Sequence, residues 1–324
     1  MEVERNATVP TVDVAATRKR ASSRRWHIRR WFDTGQAYLY LLPAFLILGV
    51  FWYLPSIFVF YMSLFKWDFF NYGTQPYVGL ANYDYLFHSA QFWQSLEVTV
   101  LYVVIAVPLS LFLALLLALC LMSGIRAKAF WRLAIFSPFI LPLVATTTAW
   151  SWIFDPHHGL FNGVLYLLHI QPIDWLGDPH WIPFSIILYT TWKSVGFSVV
   201  LFMAGLANVS PSLAEAARVD GAGNWQVFRF ITWPLLIPIT LVVLVLETIS
   251  AFKMFQPVFL LLGPAGGANN RMYTLGLYLF NEGFSASNPH AGRGAAISVI
   301  LFLLVFTISI AQLALSRNRV QPVD

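Results

Sequence analysis

The chain has 324 residues, of which 58% are hydrophobic and 11% charged, where a soluble domain carries about 25% charged residues. That balance excludes an ordinary soluble enzyme or binding module and points to an integral membrane protein. The net charge is +5, and eight of the 20 Lys and Arg residues lie between Arg5 and Arg30. Set before an apolar run, they read as a membrane-proximal cytoplasmic tail attracted by anionic lipid rather than as a nucleic-acid site.

A helix that crosses a bilayer needs about 20 apolar residues. The first such run, 38–65, exceeds the roughly 7–15 residues of a signal-peptide core, and no small-residue cleavage site closes it. It is expected to be an uncleaved first span. Five more runs follow at 95–122, 131–154, 183–205, 234–262 and 293–315. The expected fold is therefore all-α and integral to the membrane, with six transmembrane helices. Residues 1–36 form a basic leader without expected fixed structure, 37–316 the membrane domain, and 317–324 a tail. The one cysteine, Cys120, lies inside the second run and cannot form an internal disulfide.

The connecting segments set the orientation. The leader, the 123–132 turn, the 206–233 loop and the tail together hold fifteen basic residues, whereas the alternate connections hold three, Lys66, Arg271 and Arg293. By the positive-inside rule both termini are cytoplasmic, and so is the 206–233 loop.

Within the runs, Pro55, Pro108, Pro138, Pro142 and Pro238 each remove a backbone donor. They read either as ordinary kinks or as gating points. In the second run Ala106, Ser110, Ala114 and Ala118 recur every fourth residue, a small-residue stripe along which another helix can approach closely. That stripe reads as a packing surface and not as a ligand site.

Enzyme signatures are absent. No glycine-rich loop leads into a lysine, so no phosphate loop is present, and no HExxH, Ser-His-Asp or Cys-His arrangement suggests itself. "GPAGG" at 263–267 reads as a flexible outer turn, and "DPHH" at 155–158 places two adjacent histidines in an outer loop without further clustered metal ligands.

The cytoplasmic loop between the fourth and fifth runs is more informative. Ser210 is placed to cap a helix, Pro211 suits its first position, and Ser212 with Glu215 offers an alternative capping box. Asp220-Gly221 ends the helix, since glycine takes the left-handed conformation readily. A second short helix is expected over about 224–232, with Trp225 and Phe228 on one face, before Pro234 opens the fifth span. Interfacial helices that lie on lipid carry Lys and Arg opposite large apolar groups. Here the first helix has an alanine face with Glu215 and Asp220, which favours docking into a protein groove.

Glu215-Ala216-Ala217, three residues, Gly221, nine residues, Ile231, one residue and Trp233-Pro234 follow the order of the EAA loop of binding-protein-dependent ABC importers, with Trp233 in place of the usual leucine. "SLFKWD" at 63–68, "VGLANYDYLF" at 78–87, "TWKSVGF" at 191–197, "AFKMFQPVFLLLGPAGG" at 251–267 and "GAAISVILFLL" at 294–304 extend the likeness over about residues 36–316. The chain thus resembles the maltose-transporter type of permease, and within it the first permease of sugar and glycerol-3-phosphate importers. The resemblance implies a bacterial inner-membrane subunit whose 207–233 loop carries a coupling helix. Glu215, Ala216, Ala217, Arg218, Asp220 and Gly221 would dock on a separate ATPase dimer, which binds ATP and Mg. It also implies a second, similar permease as heterodimer partner and an external solute-binding protein. No cofactor is expected on this chain.

Charged residues at mid-span are costly, roughly 2.5–3.5 kcal/mol on insertion scales. Lys193 and Glu247 fall near the centres of the fourth and fifth runs. They are expected to face the protein interior, either paired with each other or meeting backbone carbonyls and water separately. Thr147 and Ser151, beside Trp150 and Trp152, together with Ser194 and Gln256, are candidate groups for a substrate path; the competing reading is that such hydroxyls bond their own helix. The functional expectation is a non-enzymatic permease that passes a carbohydrate or a glycerol-3-phosphate-like solute by alternating access. A secondary transporter or channel working without an ATPase, and a structural scaffold, are the alternatives.

Overall fold

The computed structural model describes residues 38–68, 73, 75–284 and 289–317. The leader 1–36 and the tail 318–324 lie outside the described residues. The chain divides into two compact units, Met1–Phe58 and Val59–Asp324. An apolar helix, α1 (Tyr38–Met62), begins in the first unit, where it contains a π-turn at Gly49–Tyr53.

In the second unit a short helix, α2 (Ala81–His88), leads into α3 (Ala90–Met122). Next come α4 (Lys128–Ile140) and α5 (Leu143–Ile153), then the short helix α6 (Leu160–Leu167) and the long α7 (Ile182–Ala207). The short α8 (Pro211–Val219) is followed by α9 (Asn224–Phe252). The chain closes with α10 (Gln256–Leu262), α11 (Leu275–Phe284) and α12 (Ala291–Arg317).

Two of the six expected spans are not the single rods read from hydropathy. The third is broken: α4 and α5 meet at 103°. Leu141 has φ −60° and ψ 145°, because the residue before a proline is pushed out of the helical region, and Pro142 starts the next helix. The fifth ends early, at Phe252, and α10 begins anew at Gln256. Pro257 lacks the N–H that a continuing helix would donate to the Lys253 carbonyl. The Met254 carbonyl near this break is instead taken by Thr274 Oγ1 at 2.8 Å.

At its other end α9 starts ten residues before Pro234, at Asn224 rather than at the proline. It runs without interruption through a π-turn at Phe228–Thr232, so the expected second short helix of the 206–233 loop and the fifth span are one element.

The bundle core follows from small residues on α3. Ala106, Ser110, Ala114 and Ala118 are all buried, and α3 packs most extensively on α7 and next on α9. In lipid there is little hydrophobic drive between helices, so close approach and van der Waals contact carry the packing. One apolar cluster joins Tyr102, Ala106, Ile186, Met254, Leu277 and Ile297; a second joins Ala114, Leu121, Val199, Phe202 and Val243. A third is aromatic, with Trp150, Phe154, Trp175 and Tyr189. It is anchored by Asn162, whose Nδ2 donates to Ile173 O at 2.8 Å and whose Oδ1 accepts from Trp175 Nε1 at 3.1 Å.

Candidate functional site

Two places on the molecule combine function-bearing residues. The first is the turn between α8 and α9. Pro211 opens α8 and Ser210 holds the N-cap position, but the Ser210 hydroxyl meets Ser212 Oγ at 2.7 Å instead of a backbone N–H. The helix end is tightly specified. Ala222 N–H reaches back to Ala217 O at 2.9 Å and Gly221 N–H to Arg218 O at 3.1 Å, the paired bonds of a Schellman turn. That geometry requires a left-handed residue, and Gly221 supplies it at φ +88°. Gln226 Oε1 then accepts the Gly223 N–H at 2.7 Å and starts α9.

No residue of α8 is buried. Glu215, Ala216, Arg218, Asp220 and Gly221 are exposed, and Ala217 is half-buried. Large apolar groups nearby are also uncovered, including Val219 at 87%, Trp225 at 71% and Phe230 at 73% exposure. A notch of about 280 Å³ lies between the end of α8 and the first turns of α9, lined by Ala217, Gly221, Gln226 and Phe230.

The second place is a cavity of about 550 Å³ between α3, α7 and α9. Lys193, Ser194, Glu247 and Gln256 line it, as do Tyr102 and Ser110. Its volume falls within the roughly 300–1,000 Å³ of small-molecule sites.

Lys193 and Glu247 both reach this cavity, but they do not pair. Lys193 Nζ donates to the carbonyls of Pro138 at 2.5 Å and Leu141 at 2.6 Å, with Phe139 O at 3.4 Å. These are the carbonyls freed by the break between α4 and α5, and the ammonium is consumed in satisfying them. Glu247 Oε1 accepts from Ser198 Oγ at 2.5 Å and from Ser110 Oγ at 3.2 Å. One carboxylate therefore ties α9 to both α7 and α3.

Thr147 and Ser151 do not line the cavity. Thr147 Oγ1 bonds Val144 O at 2.9 Å and Ser151 Oγ bonds Thr148 O at 2.8 Å, both within their own helix. The cause is the sharp break, which turns α5 toward the aromatic cluster. The small-residue stripe also needs correction, because Ala106 and Ser110 are cavity wall as well as packing surface. Sequence reading missed Tyr102 altogether. Its signal was available: Tyr102 stands four residues before Ala106 and extends the same helix face. Thr191, also in the wall, is 7% exposed, and its hydroxyl has no hydrogen-bond partner among the described residues.

Residues 98–320 match the family described as "Binding-protein-dependent transport system inner membrane component". The chain belongs to this family. It is an ABC-importer permease, and it functions with a separate ATPase and a solute-binding protein. The family places it apart from secondary transporters and channels. The permease is 34% identical over 283 residues to the trehalose/maltose transport system permease protein MalF of Thermococcus litoralis, covering 87% of this chain and 94% of that one. It is 31% identical over 303 residues to the lactose transport system permease protein LacF of Rhizobium radiobacter, covering 92% and 99%. The permease shares its fold with a chain in the crystal structure of a bacterial ABC transporter involved in the import of the acidic polysaccharide alginate. The TM-score is 0.75 at 22% identity, covering 90% of this chain and 100% of that one.

Proposed function

We propose that this permease passes a carbohydrate, or a solute of glycerol-3-phosphate type, from an external binding protein through the cavity between α3, α7 and α9 by alternating access. The observation that carries the reading is the cavity itself. Four helices of an apolar bundle, α3, α7, α9 and α10, turn Tyr102, Ser110, Lys193, Ser194, Glu247 and Gln256 toward one space. Polar groups at membrane depth are costly and are kept where they serve a path. Relatives named as trehalose/maltose and lactose transport permeases support the carbohydrate class.

In this reading α8 is the coupling helix. Its exposed Glu215 meets a basic group of the ATPase, and the rigid turn at Gly221 passes motion into α9, which runs unbroken to the cavity at Glu247. ATP and Mg bind the ATPase, a second homologous permease completes a heterodimer across the open side of the cavity, and both termini face the cytoplasm.

The test uses the complex reconstituted with its own binding protein in proteoliposomes. Maltose, trehalose, lactose and glycerol 3-phosphate are offered one at a time, and ATP hydrolysis and uptake are read. Stimulation by at least one of them, coupled to uptake, is the expected result. Uptake that proceeds without ATP would overturn the reading. Glu215→Ala combined with Gly221→Pro is expected to reduce copurification of the ATPase.

A further inference from the structure

A second hollow, of about 190 Å³, lies beside the cavity. Its wall includes Gln94, Glu97, Asn269, Asn270 and Arg271. Both long helices place it nearer their outer ends. On α3 it takes residues from Gln94 to Ile105, while the cavity takes Tyr102 to Ser110; on α7 it takes Pro183 and Ile187, while the cavity takes Tyr189 to Ser194. At 1.5 Å per residue the two spaces are offset by about one to two helical turns along the same pair of helices.

The two spaces share Tyr102. Its side chain is 6% exposed, and its hydroxyl donates to Thr190 Oγ1 at 3.0 Å. Thr190 in turn donates its own proton to Ile186 O at 2.8 Å, so toward Tyr102 it acts as an acceptor. The ring that lines both spaces is thus latched from α3 to α7 by a single neutral hydrogen bond.

The hollow's rim is polar and uncommitted. The side chains of Gln94, Glu97, Asn269, Asn270 and Arg271 form no hydrogen bond or ion pair among the described residues. Asn269 and Asn270 both stand in the left-handed region, at φ 55° and 54°, with Met272 N–H bonded to Gly266 O at 2.9 Å behind them. This tight turn, closed by the buried Met272, holds the two amides and Arg271 at the hollow.

We infer that the outer hollow is an antechamber for a polyhydroxylated solute and that Tyr102, latched on Thr190, is the gate between it and the cavity. This rests on the reading of the cavity as the translocation path. Amides, a carboxylate and a guanidinium are donors and acceptors suited to sugar hydroxyls. A solute hydroxyl that takes the place of Tyr102 on Thr190 releases the ring, so the arriving solute opens its own way. A bond of this kind is worth about five-fold in the population of the closed state.

The test is labelling by a membrane-impermeant maleimide added from outside. It uses the full transporter complex with Cys120→Ser in the permease and no nucleotide. A cysteine at Glu97→Cys reports the antechamber and one at Ser194→Cys the cavity. With Tyr102 present, the first is expected to label readily and the second slowly. Tyr102→Phe, which keeps the ring and loses the latch, raises labelling of the Ser194→Cys site about five-fold, and Tyr102→Ala raises it further. Labelling of the Glu97→Cys site stays unchanged, which shows that the complex is still assembled. Equal labelling of the Ser194→Cys site with Tyr102, Phe or Ala at position 102 would overturn the gate. So would Glu97→Cys shielded from the outside. A Ser194→Cys site that labels from neither side, even during ATP turnover, would instead sink the cavity as translocation path.

Discussion

Lys193 Nζ donates to Leu141 O at 2.6 Å, and this bond spans from α7 to the break between α4 and α5. A charged side chain here does the work of a missing helical turn. Inside lipid an irregular stretch of backbone survives only where protein groups satisfy it. Lys193→Met removes the donor for the carbonyls of Pro138 and Leu141 and is expected to cost about 1–3 kcal/mol for the acceptor left unpaired. The readout is the thermal midpoint of the solubilised complex. Lys193→Arg, which keeps donors at similar reach, should recover part of the loss; identical midpoints for wild type and Lys193→Met would refute the role.

Glu247 joins α9 to α3 and α7 through two serines. Its hydrogen bond from Ser198 is charge-assisted, and such bonds contribute about 1.5–3 kcal/mol. A double-mutant cycle with Glu247→Gln and Ser198→Ala, read as solute-stimulated ATPase activity, is expected to show strong coupling. Glu247→Leu should impair the transporter more than Glu247→Gln, which retains an acceptor. Additive effects in the cycle would mean that the bond carries no part of the function.

Gly221 tests the turn independently of any contact it makes. A Cβ at this position meets nothing within 4 Å, so the penalty of Gly221→Ala comes from the φ of +88° alone. The left-handed region costs an L-residue about 1–2 kcal/mol. Expected is a modest drop in ATPase copurification, with Gly221→Asn milder than Gly221→Ala because asparagine tolerates that region better.

Gly196 has the opposite cause. Its φ is ordinary, but a Cβ there would run into the Ile135 carbonyl oxygen and approach Phe136 Cα at 3.0 Å. Both are backbone atoms of α4, which cannot swing aside as a side chain does. Gly196→Ala must separate α4 from α7 and is expected to destabilise the complex by about 1–3 kcal/mol, as overpacking does. The check is a lowered thermal midpoint with loss of the Lys193 effect in the double variant, because the same helix pair is already parted.

Asp155, in the loop between α5 and α6, carries a pH-dependent element. The backbone N–H groups of His158 and His157 donate to its Oδ1, at 2.7 and 2.9 Å, and hold its carboxyl below the usual 3.8. A depressed folded value means that the stabilisation is present above the unfolded value and is lost as pH falls through the folded one. Protection of the His157 and His158 amides, measured against the intrinsic exchange rate at the same pH, should therefore hold at neutral pH and fall only on acidification below the ordinary aspartate range. Asp155→Ala should show little protection at any pH.

The apolar runs, the distribution of basic residues and the alternation of capping and stop residues are local properties. From them follow an all-α membrane protein, the approximate position of each span and the α8 turn, down to the left-handed Gly221. They suffice because a spanning helix must satisfy its backbone within itself, so that length and hydropathy alone nearly determine it. The tertiary structure decided what neighbours contribute. Hydropathy does not distinguish a straight third span from one bent by 103°, since the break depends on Lys193 arriving from a helix some fifty residues later to receive the freed carbonyls. Nor does it say that Glu247 bonds two serines rather than the lysine, or that Tyr102 lines two hollows at once. Those are distances between residues far apart in sequence, and only packed helices bring them together.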